Sequence, residues 1–425
     1  MTSRARLVRK RFFKPGEKYF LIQYKCNKFA QDKTGTLQQQ TRDRSIAVNT
    51  RLLMPGKLDG IGWFTFETLK RISILHPEVH FYFLFDRKFS REVVFSDNVT
   101  PVVLGPPARH PVLWYLWFEW RVRCFLKKKK PDLFLSTDGF LSLRSSVPSV
   151  LVMHDINFEH RPGDLPWLAR KYYLRFFPRY ARKATRIVTV SEYSRRDIIN
   201  QYDVSEDCVD LAYNGVNERY KPISEETAVS VRQELTGGSP YFIFVGSIHP
   251  RKNITTLLKA FQLFKDEIKG NYKMVLVGEK FFLTRPMEEQ LEKMTNKKDV
   301  IFTGRLSPAK LNEAIGAAWA MTFVPYFEGF GIPIVEAMKC GVPVIASKVT
   351  SLPEIAGDAA LFVIPESPGS IRDAMIRIVR DKGLRNELIE KGSNRAKKFN
   401  WDYTSNTLWE SITRVLDQDA SQVQD

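Results

Sequence analysis

Cysteine is scarce in this chain: Cys26, Cys124, Cys208 and Cys340 are the only four in 425 residues, and no two form a CxxC pair. That spacing argues against a disulfide framework or a cysteine zinc site, and for a reducing compartment. No apolar run reaches the ~18 residues a membrane span requires. The N-terminus is basic, but no small-residue cleavage site follows its apolar stretch at 19–24, so a secretory signal is not expected. A complete GxGxxG is also missing. Gly60-Ile61-Gly62 and Gly329-Phe330-Gly331 both lack the third glycine and a convincing acidic partner, which weighs against a nicotinamide-dependent oxidoreductase. The sole Asp-x-Asp, Asp417-Gln418-Asp419, lies in a polar C-terminal stretch and reads as incidental rather than as a metal motif.

What remains is ordinary for a globular protein: 44% hydrophobic, 26% charged, and 12% aromatic with 30 Phe and 8 Trp. The length suits two domains of roughly 200 residues each. The formal charge of +18 is unevenly spread, because residues 1–44 hold 12 Lys and Arg against Glu17, Asp32 and Asp43. Such a polycation suits nucleic acid, an anionic leaflet or a diphosphate, or is simply a solvated tail. Nucleic acid is disfavoured, because no recognition helix or aromatic-basic RNA motif accompanies the charge.

Past Arg44, short β-rich apolar runs alternate with helical stretches. They fall at 45–53, 80–85, 132–136, 149–153 and 186–190 in the first half. In the second they fall at 241–245, 273–277, 300–303, 320–324, 342–346 and 360–364. This alternation, with no evident hairpin turn, predicts α/β architecture with parallel sheets covered on both faces. The predicted organisation is a basic extension (1–44), a first Rossmann-like domain (45–215), a second (216–400), and a C-terminal helix with a polar tail (401–425). Trp401, Leu408, Trp409, Ile412, Val415 and Leu416 form an apolar helical stripe that needs a surface to pack on and is placed to reach back to the first domain.

In open parallel sheets ligands sit beyond the carboxyl ends of the strands. The segments there are polar or glycine-rich, and three stand out. Glu328 to Glu336 follows the strand at 320–324: two glycines let the backbone turn tightly, Pro333 fits a first helical turn and Gly341 a helix end. Amides of Gly331 and Ile332 at that helix N-terminus would favour a diphosphate, and Glu328 and Glu336 would accept hydrogen bonds from ribose and sugar hydroxyls. In Gly246–Asn253, Asn253 reads as the N-cap of a helix from Ile254. Arg251 and Lys252 beside it read as phosphate ligands, since two cations there are costly unless an anion visits. His154, beside Asp155 at another strand end, is placed to hydrogen-bond a ligand or to titrate near neutral pH, and otherwise is a structural histidine.

Together these pieces resemble the retaining group 1 (family 4) glycosyltransferases of GT-B fold, and the mannosyltransferases among them. The resemblance spans about 45–416 through Asp59-Gly60-Ile61-Gly62, VLVMHD (150–155), IVTVSEYSRRD (187–197), AYNGV (212–216), FVGSIHPRKN (244–253), EGFGIPIVEAMKCGVPVIAS (328–347) and LPEIAGDAALFV (352–363). It implies two Rossmann-like domains facing across a cleft, with the donor nucleotide sugar held mainly by the second. Lys252 with Arg251 would hold the diphosphate and Glu336 the ribose. Glu328 and the amides of Gly329, Phe330, Gly331 and Ile332 would line the sugar, His154 would approach it, and Gly60 and Gly62 would loop over the phosphates. Gly246, Ser247 and Arg305, at strand ends, complete the expected donor-binding set. Many members carry Arg where this chain has Ser247, which shifts weight onto Arg251.

The expected activity is metal-independent, cofactor-free transfer of mannose or a similar hexose to a hydroxyl of a glycan or lipid-linked acceptor, with retention. GDP-mannose is the first donor to try and UDP-sugars the second. The setting is cell-surface polysaccharide or glycoconjugate assembly, in the cytoplasm or peripheral on the inner membrane face. A non-catalytic sugar-nucleotide-binding protein is the rival. The aromatic, then basic, run 114–130 reads either as a membrane-facing amphipathic patch or as a core helix with a basic end, and core is the usual fate of an apolar stripe.

Overall fold

The computed structural model describes residues 44–54, 56, 58–279 and 285–422; Cys26, Lys57 and the basic segment 1–43 lie outside the described residues. The first sheet is built from β1 (Ser45–Asn49), β2 (His80–Phe85), β3 (Val99–Val103), β4 (Leu133–Ser136), β5 (Ser149–Val152), β6 (Arg186–Thr189) and β7 (Val209–Leu211), in the order β3-β2-β1-β4-β5-β6-β7. The second holds β8 (Tyr241–Val245), β9 (Lys273–Val277), β10 (Val300–Gly304), β11 (Ala320–Phe323), β12 (Val344–Ser347) and β13 (Ala360–Val363), in the order β10-β9-β8-β11-β12-β13. Every pairing is parallel; Ile46, for instance, lies opposite both Phe81 and Leu133. Helices cover both faces, so central strands such as Tyr241–Val245 are buried at every position and read as unbroken apolar runs.

The helices that position the cleft are α1 (Gly60–Leu75); α2 (Pro111–Leu116), running through a π-helical stretch (Trp117–Val122) into α3 (Arg123–Lys129); α4 (Trp167–Lys183); α5 (Glu192–Tyr202); α6 (Ile254–Glu267); α7 (Ile332–Lys339); α8 (Leu352–Ala356); and α9 (Trp401–Gln422).

The predicted parallel α/β architecture is present, with two strands beyond those expected. β3 carries Pro101 on a sheet edge, where a missing amide costs no ladder bond, and β7 is a three-residue edge strand. Neither gives a long apolar run. β12 starts at Val344 rather than 342, because the Val342 amide donates to Ala337 O and completes the end of α7, with Gly341 at φ 72°. The C-terminal stretch expected as a polar tail from Asp417 continues α9 to Gln422.

α9 crosses back to the first sheet, packing on α1 and β4–β7. Leu408, Ile412, Val415 and Leu416 are buried, His76 of α1 stacks on Trp409 at 3.7 Å, and Arg414 reaches Asp210 at 3.0 Å. A Cβ on Gly215 would collide with the Trp401 backbone, so this crossing requires glycine there.

Candidate active site

The carboxyl ends of both sheets open onto one cleft of about 1130 Å³, lined by residues of both halves. Its second-half wall centres on Glu328. β11 ends at Phe323, and the loop that follows brings the Glu328 carboxylate to accept from Arg251 Nη1 at 2.8 Å and Lys252 Nζ at 2.5 Å. The Glu328 backbone is clamped as well: Thr350 Oγ1 accepts from its amide at 3.2 Å and Ser351 Oγ donates to its carbonyl at 2.8 Å. Burial, reinforced by Arg251, lowers Lys252 to about 8. Burial opposes the Glu328 charge too, but Lys252 and Arg251 outweigh it and hold the carboxyl below its usual range. Glu328 thus bridges both cations, and Asp155 and Asp164 also act on Arg251. Gly331, at φ 96°, sets the start of α7 beside this cluster.

Glu336 lies one turn into α7 and also lines the cleft. Burial raises its carboxyl to about 7, against the pull of a hydrogen bond from the Tyr220 hydroxyl and of nearby Arg219. His154 lines the opposite wall. Its Nε2 lies 3.0 Å from Thr137 O, and burial lowers its pKa. A carbonyl only accepts, so the neutral ring donates through Nε2 and keeps Nδ1 as an acceptor. Burial thus shifts its titration below that of a free imidazole.

Arg251, Lys252, Glu328, Gly329, Phe330, Gly331, Ile332, Glu336, Gly246, Ser247, Arg305, Gly60 and His154 all line the cleft, whereas Gly62 does not. Gly60 and Gly62 sit in the first turn of α1 rather than in a loop, and the Gly62 amide is taken by Asp59 Oδ1 at 3.0 Å. The Phe330 ring is buried against Phe399 and Tyr213, so only its backbone is left to face the cleft as expected. Arg305 donates across the cleft to Leu58 O at 2.6 Å. Asn253 occupies the N-cap position of α6 as expected, but its side chain makes no cap hydrogen bond. Held at φ 61°, it donates from Nδ2 to Val324 O (2.9 Å) and Pro365 O (2.7 Å), tying the cation-bearing turn to β11.

Further contacts join the halves. Glu354 of α8 accepts from the amides of Glu192 (2.7 Å) and Tyr193 (3.0 Å) at the start of α5, and Ser191 Oγ donates to Gly329 O at 2.7 Å. Phe327 stacks on His160 with ring centres 5.2 Å apart. Sequence reading missed the Tyr220–Glu336 contact. It also missed a wall of Phe140, Phe158, Leu165, Tyr173 and Phe177 on the first half. The only signal for Tyr220 is its place after AYNGV; the aromatic wall is assembled from three separate segments and leaves no local pattern.

Two facing parallel sheets with a glycine-rich, cationic cleft define the GT-B class of fold. Anabaena HepE, solved in complex with UDP and glucose, superposes with a TM-score of 0.68 over 88% of this chain and 100% of that one, at 17% identity. The family model described as Glycosyl transferases group 1 matches residues 226–395, and that of Glycosyltransferase Family 4 matches residues 58–220. The chain belongs to the group 1 glycosyltransferases. The O-antigen chain mannosyltransferase B of Escherichia coli is 27% identical over 356 residues, which is 81% of this chain and 93% of that protein. The serotype-specific mannosyltransferase WbdA of the same organism is 29% identical over 63% of this chain, which spans about a third (34%) of WbdA.

Proposed function

We propose that this glycosyltransferase moves mannose, from GDP-mannose in the first instance and otherwise a hexose from a UDP-sugar, to a hydroxyl of a lipid-linked glycan in O-antigen-type polysaccharide assembly. The observation that carries the reading is the pairing of Arg251 and Lys252 on Glu328, beside the start of α7. The mannosyltransferase relatives favour the sugar. On this reading residues 45–215 form the acceptor side, at an anionic inner membrane face, and residues 216–400 the donor side.

As the anomeric C–O bond to the diphosphate breaks, negative charge gathers on the leaving oxygens. Arg251, Lys252 and the amides opening α7 meet it as fixed positive groups, with no metal required. Glu328 holds the cations in place, and Glu336 accepts from the ribose hydroxyls. His154 Nδ1 accepts from a sugar hydroxyl. The acceptor oxygen bonds the anomeric carbon on the face the diphosphate leaves, and its proton passes to a departing phosphate oxygen, so configuration is retained. Trapping a glycosyl-enzyme adduct on Glu328 would overturn that route.

Thermal unfolding with GDP-mannose, UDP-glucose and ADP-glucose identifies the donor, since a ligand at 100 times its Kd stabilises by about 2.7 kcal/mol. Turnover with EDTA present and NMR of the product anomer then check metal independence and retention. No stabilisation by any donor and no release of nucleoside diphosphate would end the proposal.

A further inference from the structure

The run 114–130 turns out to serve two faces. Trp117, Phe118, Val122 and Leu126 are buried in the first-half core. Val112, Leu116 and Trp120, spaced four apart on the outward side, are instead 54%, 40% and 60% exposed. α4 packs alongside: Trp114 meets Tyr173 with ring centres 5.6 Å apart, and Tyr115 meets Phe176 at 5.7 Å. Its outward side repeats the pattern, with Trp167 58%, Leu168 36% and Leu174 38% exposed. Two adjacent helices thus leave six large apolar side chains in water, among them two tryptophans, and no described element covers them.

The charge around them has one sign. Arg123, Arg144, Lys171, Arg175 and Arg179 are exposed beside these residues, and Lys171 Nζ lies 4.0 Å from the centre of the Trp167 ring. Residues 165–191 contain no carboxylate, and 98–131 contain one, Glu119. Glu119 is buried and accepts from the Leu143 amide at 2.6 Å. Exposed tryptophan and aliphatic side chains ringed by cations, with no exposed carboxylate among them, complement an anionic bilayer interface. There the rings sit at headgroup depth and each cation gains from surface potential. Among the described residues no helix is long and apolar enough to cross a membrane, so this surface would lie on the bilayer.

We infer that the outward face of α2, the π-helical stretch that continues it and α4 docks on an anionic lipid surface. The inference rests on the lipid-linked-acceptor reading above and gives it a geometry. Tyr173 and Phe177 of α4 line the cleft, as does Leu165, two residues before exposed Trp167. One helix therefore fronts both the lipid and the acceptor wall, and a lipid-linked sugar enters without leaving the interface.

The test is flotation of the full chain with phosphatidylcholine vesicles, with and without phosphatidylglycerol, for native protein, Trp120→Ala/Trp167→Ala and Lys171→Glu/Arg175→Glu. Native protein is expected to float only with the anionic vesicles, and each double variant to bind at least about tenfold more weakly. Circular dichroism and donor-induced thermal shifts stay unchanged in both variants, since these residues are remote from the donor wall. Native-level flotation of both variants, which would assign binding to the basic residues 1–43, overturns the inference. So does native protein that ignores anionic vesicles. Either result, with donor stabilisation intact, leaves the transferase reading standing; loss of donor binding by the native chain sinks that reading instead.

Discussion

Lys252 is buried and Glu336 half-buried in the cleft, and desolvation moves their proton equilibria toward one another, to about 8 and about 7. On the proposed roles, only between those values are the Lys252 cation for the diphosphate and the Glu336 carboxylate for the ribose present together. kcat/KM is therefore expected to rise as pH passes about 7 and to fall as it passes about 8. Glu336→Gln removes the acid limb, and Lys252→Arg carries the alkaline limb upward. Initial rates of nucleotide release across this range check it, and a flat profile would refute the assignment. Stability runs the other way for Glu336. Its folded pKa is raised, so the contribution is full below the unfolded value and is lost as pH rises through about 7. Removing either cation by Arg251→Ala or Lys252→Ala should lower kcat/KM about 100-fold or more, because a fixed charge aimed at the leaving oxygens is lost. A loss below fivefold in steady-state assays would count against their role.

Among the elements, the short helix α8 and the start of α5 decide whether the cleft is held closed. Glu354 occupies the amide end of α5 from across the cleft, where a carboxylate is favoured by both hydrogen bonding and the helix dipole. The same end holds Gly329 through Ser191, so closure and the placement of the Glu328 loop are one event. Glu354→Ala should raise donor KM about tenfold, as charge-assisted bonds carry ~1.5–3 kcal/mol. Small-angle scattering should show a more open molecule; an unchanged KM and scattering profile would separate the latch from binding. Gly329→Ala should act similarly, because a Cβ there would sit 2.7 Å from Asp155 on the facing half.

For the whole molecule, α9 makes the two sheets one body. It leaves the second half at Trp401 and buries Leu408, Ile412, Val415 and Leu416 on the first. Leu408→Ala leaves a cavity in that seam and should cost about 2–5 kcal/mol, seen as a lowered Tm in calorimetry. Because α9 covers the first sheet and not the donor wall, the shift in Tm on adding donor should persist. An unchanged Tm would mean that the crossing contributes little to holding the halves together.

The sequence by itself determined the parallel sheets, since strands covered on both faces must be apolar throughout and such runs are local. It also determined which segments fall at the strand ends, and hence Arg251, Lys252, Glu328, Glu336 and His154 as residues of one cleft. Only the tertiary structure decided what needs a partner distant in sequence. Asn253 stands at the cap position, but its side chain ties the turn to Val324 and Pro365; Gly62 turned inward within α1; the Phe330 ring packs against Phe399. The tertiary structure also set the proton equilibria, because the burial that raises Glu336 and lowers Lys252 comes from packing among segments distant in sequence, with Phe323 and Glu328 at Lys252 and Tyr220 at Glu336, and has no trace in local pattern. The exposure of Trp120 and Trp167 belongs there too: periodicity shows that a stripe is apolar, and only packing shows that nothing in the described chain covers it.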